Sequence, residues 1–394
     1  MLLEPMRRVL VVGAGFAGAV HARVLAEAGI QVQVIDQRGH IAGNAYDCLD
    51  DRGVRVHQYG PHLFHTNNEG VVRWLANFGE FVPYEHRVAA QVGGRLVSFP
   101  VNRLTFEQFF NRSFASEAEL EAFIATIVED IPEPRNAAEF LASRIGREMT
   151  DLFFRPYTLK MWSLDLEDLD SSVVRRIPIR MDRDDRYFPN DKFQMLPRHG
   201  YTRIFENIFD HEKISVNLNV AFDKSMERDY DAVFLSSPID DYFDCRFGKL
   251  PYRSIRFHHA QSKVDETPVA TINYTDASPF TRETHWQKLP LHAPAAGLIS
   301  TKTVEEPCDY KDNKLERYYP VKDASGSFRA RYEQYAELAK TLPRVRFIGR
   351  CGTYTYLDMH QVINQSLISA NGALAPGLRQ SLPGREAALS GQPG

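Results

Sequence analysis

The spacing of apolar positions changes character along the chain, and each change marks a different kind of element. Val9 to Val12 is a short unbroken apolar run, as expected of a strand covered on both faces. Ala19, Val20, Ala22, Val24, Leu25 and Ala28 then recur at helical spacing up to a stop at Gly29. A second strand, Ile30 to Ile35, ends in Asp36. Residues 68–79 read as a short helix, and Arg87 to Pro100 as two strands folded about Gly93-Gly94. From Thr105 to about Lys160 the period returns to three and four, through Phe106, Phe109, Phe110, Leu120, Phe123, Ile124, Phe140 and Leu141. A helix ends at Phe209, and apolar strands follow over Ile214–Val220 and Tyr230–Ser236. Residues 252–275 alternate as strands, and Val345 to Ile363 gives a third strand, turn and helix. The end of the chain, 375–394, is rich in Gly, Pro and Ser and is expected to be disordered.

These elements predict an α/β chain with a discontinuous Rossmann-like domain over 7–80, 195–250 and 335–372. A helical domain is inserted over 102–170. An antiparallel β-sheet domain is assembled from 81–101, 171–194 and 251–334. The first strand runs into Gly13, Gly15 and Gly18, the G-x-G-x-x-G spacing. The first glycine permits the tight turn, the second lets a pyrophosphate approach the backbone, and the third lets the helix sit close on the strand. Asp36, at the end of the second strand, stands where a ribose hydroxyl would be met. With strand, helix, second strand and acid all in place, the stretch reads as a dinucleotide site.

The chain has 394 residues and a formal net charge of −4, so no global basic field points to nucleic acid or a membrane surface. No apolar run approaches the ~20 residues of a membrane span, and no export signal opens the chain. Cys48, Cys245, Cys308 and Cys351 are isolated, with no zinc-type spacing, so reduced cysteines and a cytoplasmic location are expected. His62 and His65 follow the Gly60-Pro61 turn without a nearby carboxylate in sequence. They read as packed loop histidines, and no metal is expected. Residues 152–162 are unusually aromatic, suited to core packing and to stacking on a base. Arg175, Arg176, Arg180, Arg183 and Arg186 crowd one stretch. Taken alone, the run suits a solvated face as well as a phosphate receptor.

Together the motifs resemble the bacterial UDP-galactopyranose mutases. The resemblance spans about residues 7–372 and rests on the glycine turn with Asp36, Gly-Asn-Ala-Tyr-Asp at 43–47 and Gly-Pro-His-Leu-Phe-His-Thr at 60–66. Phe-Pro-Val-Asn at 99–102, Tyr157 to Trp162, Arg-Arg-Ile-Pro-Ile-Arg at 175–180 and Arg-Tyr-Phe at 186–188 extend it. Gly-Tyr-Thr at 200–202, Tyr-Tyr-Pro at 318–320 and Gly-Arg-x-Gly-Thr-Tyr-x-Tyr-Leu-Asp-Met at 349–359 complete it.

The resemblance implies an FAD isomerase that interconverts UDP-galactopyranose and UDP-galactofuranose without net redox change. It implies a reduced flavin whose N5 attacks the anomeric carbon to give a flavin–galactose iminium, and a product used in cell-surface glycans. Arg176 is similar to the family's mobile-loop arginine, within a lid near 162–180, and Arg282 to its partner on the sheet. Tyr187, Tyr318 and Tyr356 resemble the phosphate-binding tyrosines. Phe154 and Tyr157 resemble the uracil-stacking pair beside Thr158, and Trp162 and Asn273 resemble sugar or ribose contacts. His62 resembles the histidine near the flavin N5. The implied cofactor set is Gly13, Gly15, Phe16, Ala17, Gly18, Asp36, Gln37, Gly43, Asn44, His62, Leu63, Val220, Arg350, Tyr356, Leu357, Asp358 and Met359. Arg175 is expected to point elsewhere. Implied partners are a reductant such as NAD(P)H and a second copy of the chain, with no nucleic acid and no membrane insertion.

Overall fold

The computed structural model describes residues 6–175, 177–263, 267–293 and 299–379. Five parallel strands form the first sheet, in the order Ile214–Leu218, Gln31–Asp36, Arg8–Val12, Ala232–Leu235, Val345–Phe347. The strands Ile214–Leu218 and Ala232–Leu235 therefore rejoin the first sheet, as the apolar runs over 214–220 and 230–236 suggest. Val9, Val11 and Val34 are fully buried, and Leu10 and Phe234 nearly so. Each such side chain contributes about 1.5–3 kcal/mol by leaving water.

The helix Phe16–Glu27 is buried along almost its whole length, because it lies between this sheet and the last helix, Met359–Ala373. Its small residues, Ala17, Gly18, Ala19 and Ala22, permit that double contact. Gly13, Asp36, Ser236 and Gly349 all stand at or just beyond the carboxyl ends of these parallel strands, the edge where ligands bind in open α/β sheets.

The second sheet has seven strands, in the order Tyr319–Pro320, Tyr252–Lys263, Ile299–Asp309, Arg282–His285, Thr271–Tyr274, Val88–Val92, Arg95–Phe99. Its pairs are antiparallel except one. Thr271–Tyr274 runs parallel to Val88–Val92. The hairpin at Gly93-Gly94 places Arg95–Phe99 on the other side of Val88–Val92, so the strand that arrives much later takes the remaining edge. Asn273 and Arg282 face each other across the hairpin between Thr271–Tyr274 and Arg282–His285. Arg282 in turn faces Glu305 on the next strand.

Helices Arg103–Phe110, Glu117–Ile127, Ala137–Met149 and Arg155–Trp162 share one apolar core with the second sheet, through Val88, Phe99, Phe106, Leu141, Phe154 and Trp162. A smaller antiparallel sheet, Phe64–Thr66 with Phe193–Pro197 and Phe81–Pro83, links the histidine-bearing loop to the rest. None of the four cysteines is in a disulfide. Residues 380–394, most of the tail expected to be disordered, lie outside the described residues, while Pro376–Leu378 forms a single 3₁₀ turn.

Candidate functional site

The turn between Arg8–Val12 and Phe16–Glu27 is fixed by backbone contacts. Gly13 has φ +104°, and its N–H donates to the Ile35 carbonyl at 2.8 Å. A Cβ on Gly18 would lie 1.8 Å from the Gly13 carbonyl oxygen, so only glycine lets the helix close on the turn. Asp36 is buried at the turn's edge. One of its carboxylate oxygens accepts the Ala14 N–H at 2.7 Å and the other the Arg38 N–H at 2.9 Å.

Beside the turn lies a cavity of about 730 Å³. Of the residues implied for a cofactor, its wall takes in Gly13, Gly15, Phe16, Ala17, Gly18, Asp36, Gln37, Gly43, Asn44, His62, Val220, Arg350 and Met359. Leu63, Tyr356, Leu357 and Asp358 are outside that wall. Leu357 instead gives its carbonyl to Arg350 Nε at 2.6 Å, and the Asp358 N–H donates to Gln361 Oε1 at 2.9 Å as the last helix begins. No side chain caps the helix that starts at Phe16, and its first turn carries no acid. A helix end left open toward a cavity, with its N–H groups and positive dipole, suits an anion such as a pyrophosphate. Sequence reasoning missed Arg38 and Glu316 in this wall. Arg38 is paired with Glu316, donates to Asn44 Oδ1 at 2.9 Å and lies over the Tyr59 ring.

A second, smaller cavity of about 60 Å³ lies in the other half of the molecule. Phe154, Tyr157, Thr158, Trp162, Tyr187 and Asn273 all line it, with Val173, Val174 and Ile177. Arg282, Tyr318 and Tyr356 are not in its wall. They belong to a cluster that joins the two cavities. Arg282 donates Nε to Glu305 Oε1 and an Nη to Oε2, both at 2.9 Å, and the carboxylate is buried beneath it. Burial opposes the Arg282 charge. Glu305, Tyr157 and Tyr319 outweigh that cost and hold the guanidinium charged well beyond its ordinary range. Burial pushes the Glu305 carboxyl up, against the pull of Arg282. The two parallel hydrogen bonds fix the plane of the fork.

Arg350 lies over the rings of Tyr356 and Tyr319 at 5.1 and 5.7 Å, and Tyr319 stacks on Tyr356. Tyr318 meets Tyr319 edge-on and donates its hydroxyl to the Tyr59 carbonyl. Glu305 and Tyr319 were not foreseen as site residues. The register that places Glu305 opposite Arg282 would have revealed the first.

His62 lines the large cavity beside this cluster. Its Nδ1 lies 2.9 Å from the Gly60 carbonyl, so Nδ1–H is the donor there and Nε2 is left as an acceptor. Burial, with further contributions from Arg350 and Arg282, lowers its pKa to about 4, so the imidazole is neutral at pH 7. Gly60 makes this loop possible. It has φ +80°, and a Cβ there would lie 2.7 Å from Glu305 Oε1. The His62 N–H also donates to His57 Nδ1 at 3.0 Å, and His57 Nε2 meets His292 Nε2 at 3.0 Å.

Other expected residues lie elsewhere. Arg176 lies outside the described residues. Arg175 Nε bonds Ser171 Oγ at 3.0 Å and its guanidinium covers the Phe140 ring, away from both cavities. His65 gains the carboxylate that its neighbours in sequence lack. Its Nδ1 is 2.6 Å from Asp191 Oδ2, and its ring stacks on Phe188.

The family model for UDP-galactopyranose mutase matches residues 152–356, and that for an NAD(P)-binding Rossmann-like domain matches residues 11–78. A probable UDP-galactopyranose mutase of Klebsiella pneumoniae is 38% identical, with 94% of this chain and 95% of the relative covered. A dTDP-fucopyranose mutase of Escherichia coli is 34% identical over 92% of this chain and 97% of its own. A crystal structure of reduced UDP-galactopyranose mutase superposes with a TM-score of 0.71 over 94% of each chain, at 17% identity, and so shares the fold. The extent of the family match and the level of identity over nearly the whole length place this chain in the UDP-galactopyranose mutase family, a family of isomerases.

Proposed function

We propose that the protein interconverts UDP-galactopyranose and UDP-galactofuranose, with FAD held in the large cavity and the nucleotide sugar between Arg282 and the aromatic walls of the small one. The residues fit the cofactor. The open helix end at Phe16 would meet a pyrophosphate, and Asp36, Gly43 and Asn44 line the same wall. When bound and reduced, FAD supplies a nucleophilic ring nitrogen for the anomeric carbon and ends the cycle in the same redox state.

The chain's own residues supply placement and charge. Cleaving the anomeric bond leaves extra negative charge on a diphosphate, and a fixed guanidinium favours that state over the ground state. Arg282 carries this role, with Arg176 as its partner on the lid. Tyr187 and Tyr356 are read as phosphate donors, and Tyr318 as a third once its hydroxyl turns from the Tyr59 carbonyl. Phe154 and Tyr157 are read as the stacking pair for uracil, and Trp162 and Asn273 as sugar or ribose contacts. His62 offers a neutral imidazole in the cofactor wall. The small cavity has room for about two waters, less than a nucleoside needs. Val173, Val174 and Ile177 would therefore swing away from the helix Arg155–Trp162 to admit substrate, in keeping with a lid near 162–180.

The observation that carries the reading is the position of Arg282. It stands opposite Asn273, which lines the small cavity, and its partner Glu305 packs under Gly60, two residues before His62 in the wall of the large one. The same reading places a reductant such as NAD(P)H before turnover, surface glycans after it, and a homo-oligomer in the cytoplasm. Among the described residues no helix is long and apolar enough to cross a membrane.

The test is anaerobic. The yellow protein is reduced with dithionite and given UDP-galactofuranose, and the products are separated by chromatography. UDP-galactopyranose formed by the reduced sample alone is the expected result. Turnover that ignores the flavin's redox state, or none at all with FAD bound, would sink the proposal.

A further inference from the structure

The two walls of the small cavity come from different parts of the fold. Tyr157, Thr158 and Trp162 stand on the helix Arg155–Trp162, while Asn273 stands on a strand whose hairpin partner begins with Arg282. One side chain spans them. Lys160, on the helix, points its ammonium into the turn that joins the two strands. Nζ lies 3.0 Å from the Tyr274 carbonyl, 3.0 Å from the Asp276 carbonyl and 2.6 Å from the Phe280 carbonyl, with Asp276 Oδ1 at 3.4 Å. An ammonium has three N–H donors, and here three backbone carbonyls of one turn receive them.

The acceptors bracket the functional residues. Tyr274 follows Asn273, and Phe280 stands two residues before Arg282. The turn is closed at its base by the Tyr274 N–H donating to the Thr281 carbonyl at 2.9 Å. The same end of the helix has a second tie to the sheet. Arg253, from the strand Tyr252–Lys263, donates to the carbonyls of Met161 and Lys160 at 3.0 and 3.2 Å. Lys160 is 14% exposed, so its bonds are made largely out of water, where charge-assisted hydrogen bonds are strongest.

We infer that Lys160 is a positioning residue: its ammonium locks the turn 274–281 to the helix 155–162 and so sets the distance between the aromatic wall and Arg282. This rests on the substrate-site reading above. Removing the ammonium takes this donor from three carbonyls, loosens the hairpin from the helix and leaves the cofactor cavity untouched, since neither segment lines it.

The test uses the flavin-loaded protein and three variants, Lys160→Met, Arg282→Ala and the two combined. UDP affinity is titrated, and kcat and KM are measured on the reduced enzyme, with flavin absorbance as the control for folding. Lys160→Met is expected to keep its flavin and to lose at least about tenfold in UDP affinity and in kcat/KM. Because Lys160 acts through Arg282, the double variant should be little worse than Arg282→Ala alone, a non-additivity that a merely structural residue would not show. If Arg282→Ala binds UDP as the parent does, the site reading fails. If Arg282→Ala weakens UDP while Lys160→Met does not, or if the two losses simply multiply, the inference about Lys160 fails. Should Lys160→Met lose its flavin, Lys160→Gln, which keeps two donors without charge, takes its place under the same criteria.

Discussion

The two cavities are built from different materials. The large one is walled on its turn side by backbone and by small residues close together in sequence, Gly13 to Gly18 and Ala42 to Ala45, and takes in side chains such as Arg38, Glu316 and Arg350 only around them. The small one and the cluster beside it are made of large side chains from remote segments: Phe154, Tyr187, Asn273, Arg282, Glu305 and Tyr319. A backbone site depends on steric permission, so an added methyl group can destroy it. A side-chain site depends on pairing, so a change of charge without a change of shape can destroy it.

The largest expected effect tests the first half of that contrast. In Gly18→Ala the new Cβ would stand 1.8 Å from the Gly13 carbonyl oxygen and 3.0 Å from Val11 Cγ1. Backbone cannot step aside cheaply, so the turn must deform. A stability loss of about 4 kcal/mol or more is expected, read as a lower urea midpoint together with loss of bound flavin. A variant that stays yellow and as stable as the parent would show that this turn yields as freely as a side chain.

Next comes the side-chain site. Glu305→Gln keeps the volume but presents an amide NH₂ to one arm of the Arg282 fork, where the carboxylate presents an acceptor. The guanidinium loses its fixed plane, and turnover should fall about 10–100-fold, with flavin content and the Gly18 turn unaffected. Equal loss of flavin would join the two cavities into one cooperative unit and remove the contrast.

A smaller effect is set by pH. His21, against the parallel sheet, and His62, in the site, both have pKa values lowered to about 4 by burial, from an ordinary 6.5. Between those values the unfolded chain binds protons that the folded chain refuses, so stability falls as pH drops from about 6.5 toward 4. Each histidine adds up to one proton to that slope. His62→Gln should therefore flatten the dependence of the urea midpoint on pH over that window by about one proton's worth. An unchanged slope would mean that His62 opens to water before the fold does.

The same difference in materials decided what the sequence could reveal. Gly13, Gly15, Gly18 and Asp36 serve one turn, so their spacing along the chain is their spacing in space. The hairpin at Gly93-Gly94 was readable for the same local reason. Arg282 was reached only through resemblance, and Glu305 not at all, because their pairing follows from the register of two strands. The partner of His65 is Asp191, more than a hundred residues away. The parallel pairing of Thr271–Tyr274 on Val88–Val92 depends on which sheet edge stayed open after a distant hairpin had formed. No local pattern carries that information.

The smallest expected effect separates two kinds of glycine within one motif. Gly15 has φ −83° and ψ −175°, an extended conformation open to any residue. A Cβ there would meet Gly43 Cα at 3.5 Å, an ordinary contact. Nothing in the packing therefore requires glycine at this position, whereas Gly18 has no alternative. If Gly15 is kept bare for a ligand, Gly15→Ala should fold with a stability within about 0.5 kcal/mol of the parent when both are stripped of flavin. It should nevertheless hold flavin less tightly, because the methyl group intrudes on the approach of the pyrophosphate to the open helix end. The measurement is the urea midpoint of the two apoproteins beside their flavin dissociation constants. A stability loss like that of Gly18→Ala would make Gly15 a packing glycine too. An unchanged flavin affinity would move the pyrophosphate away from the turn.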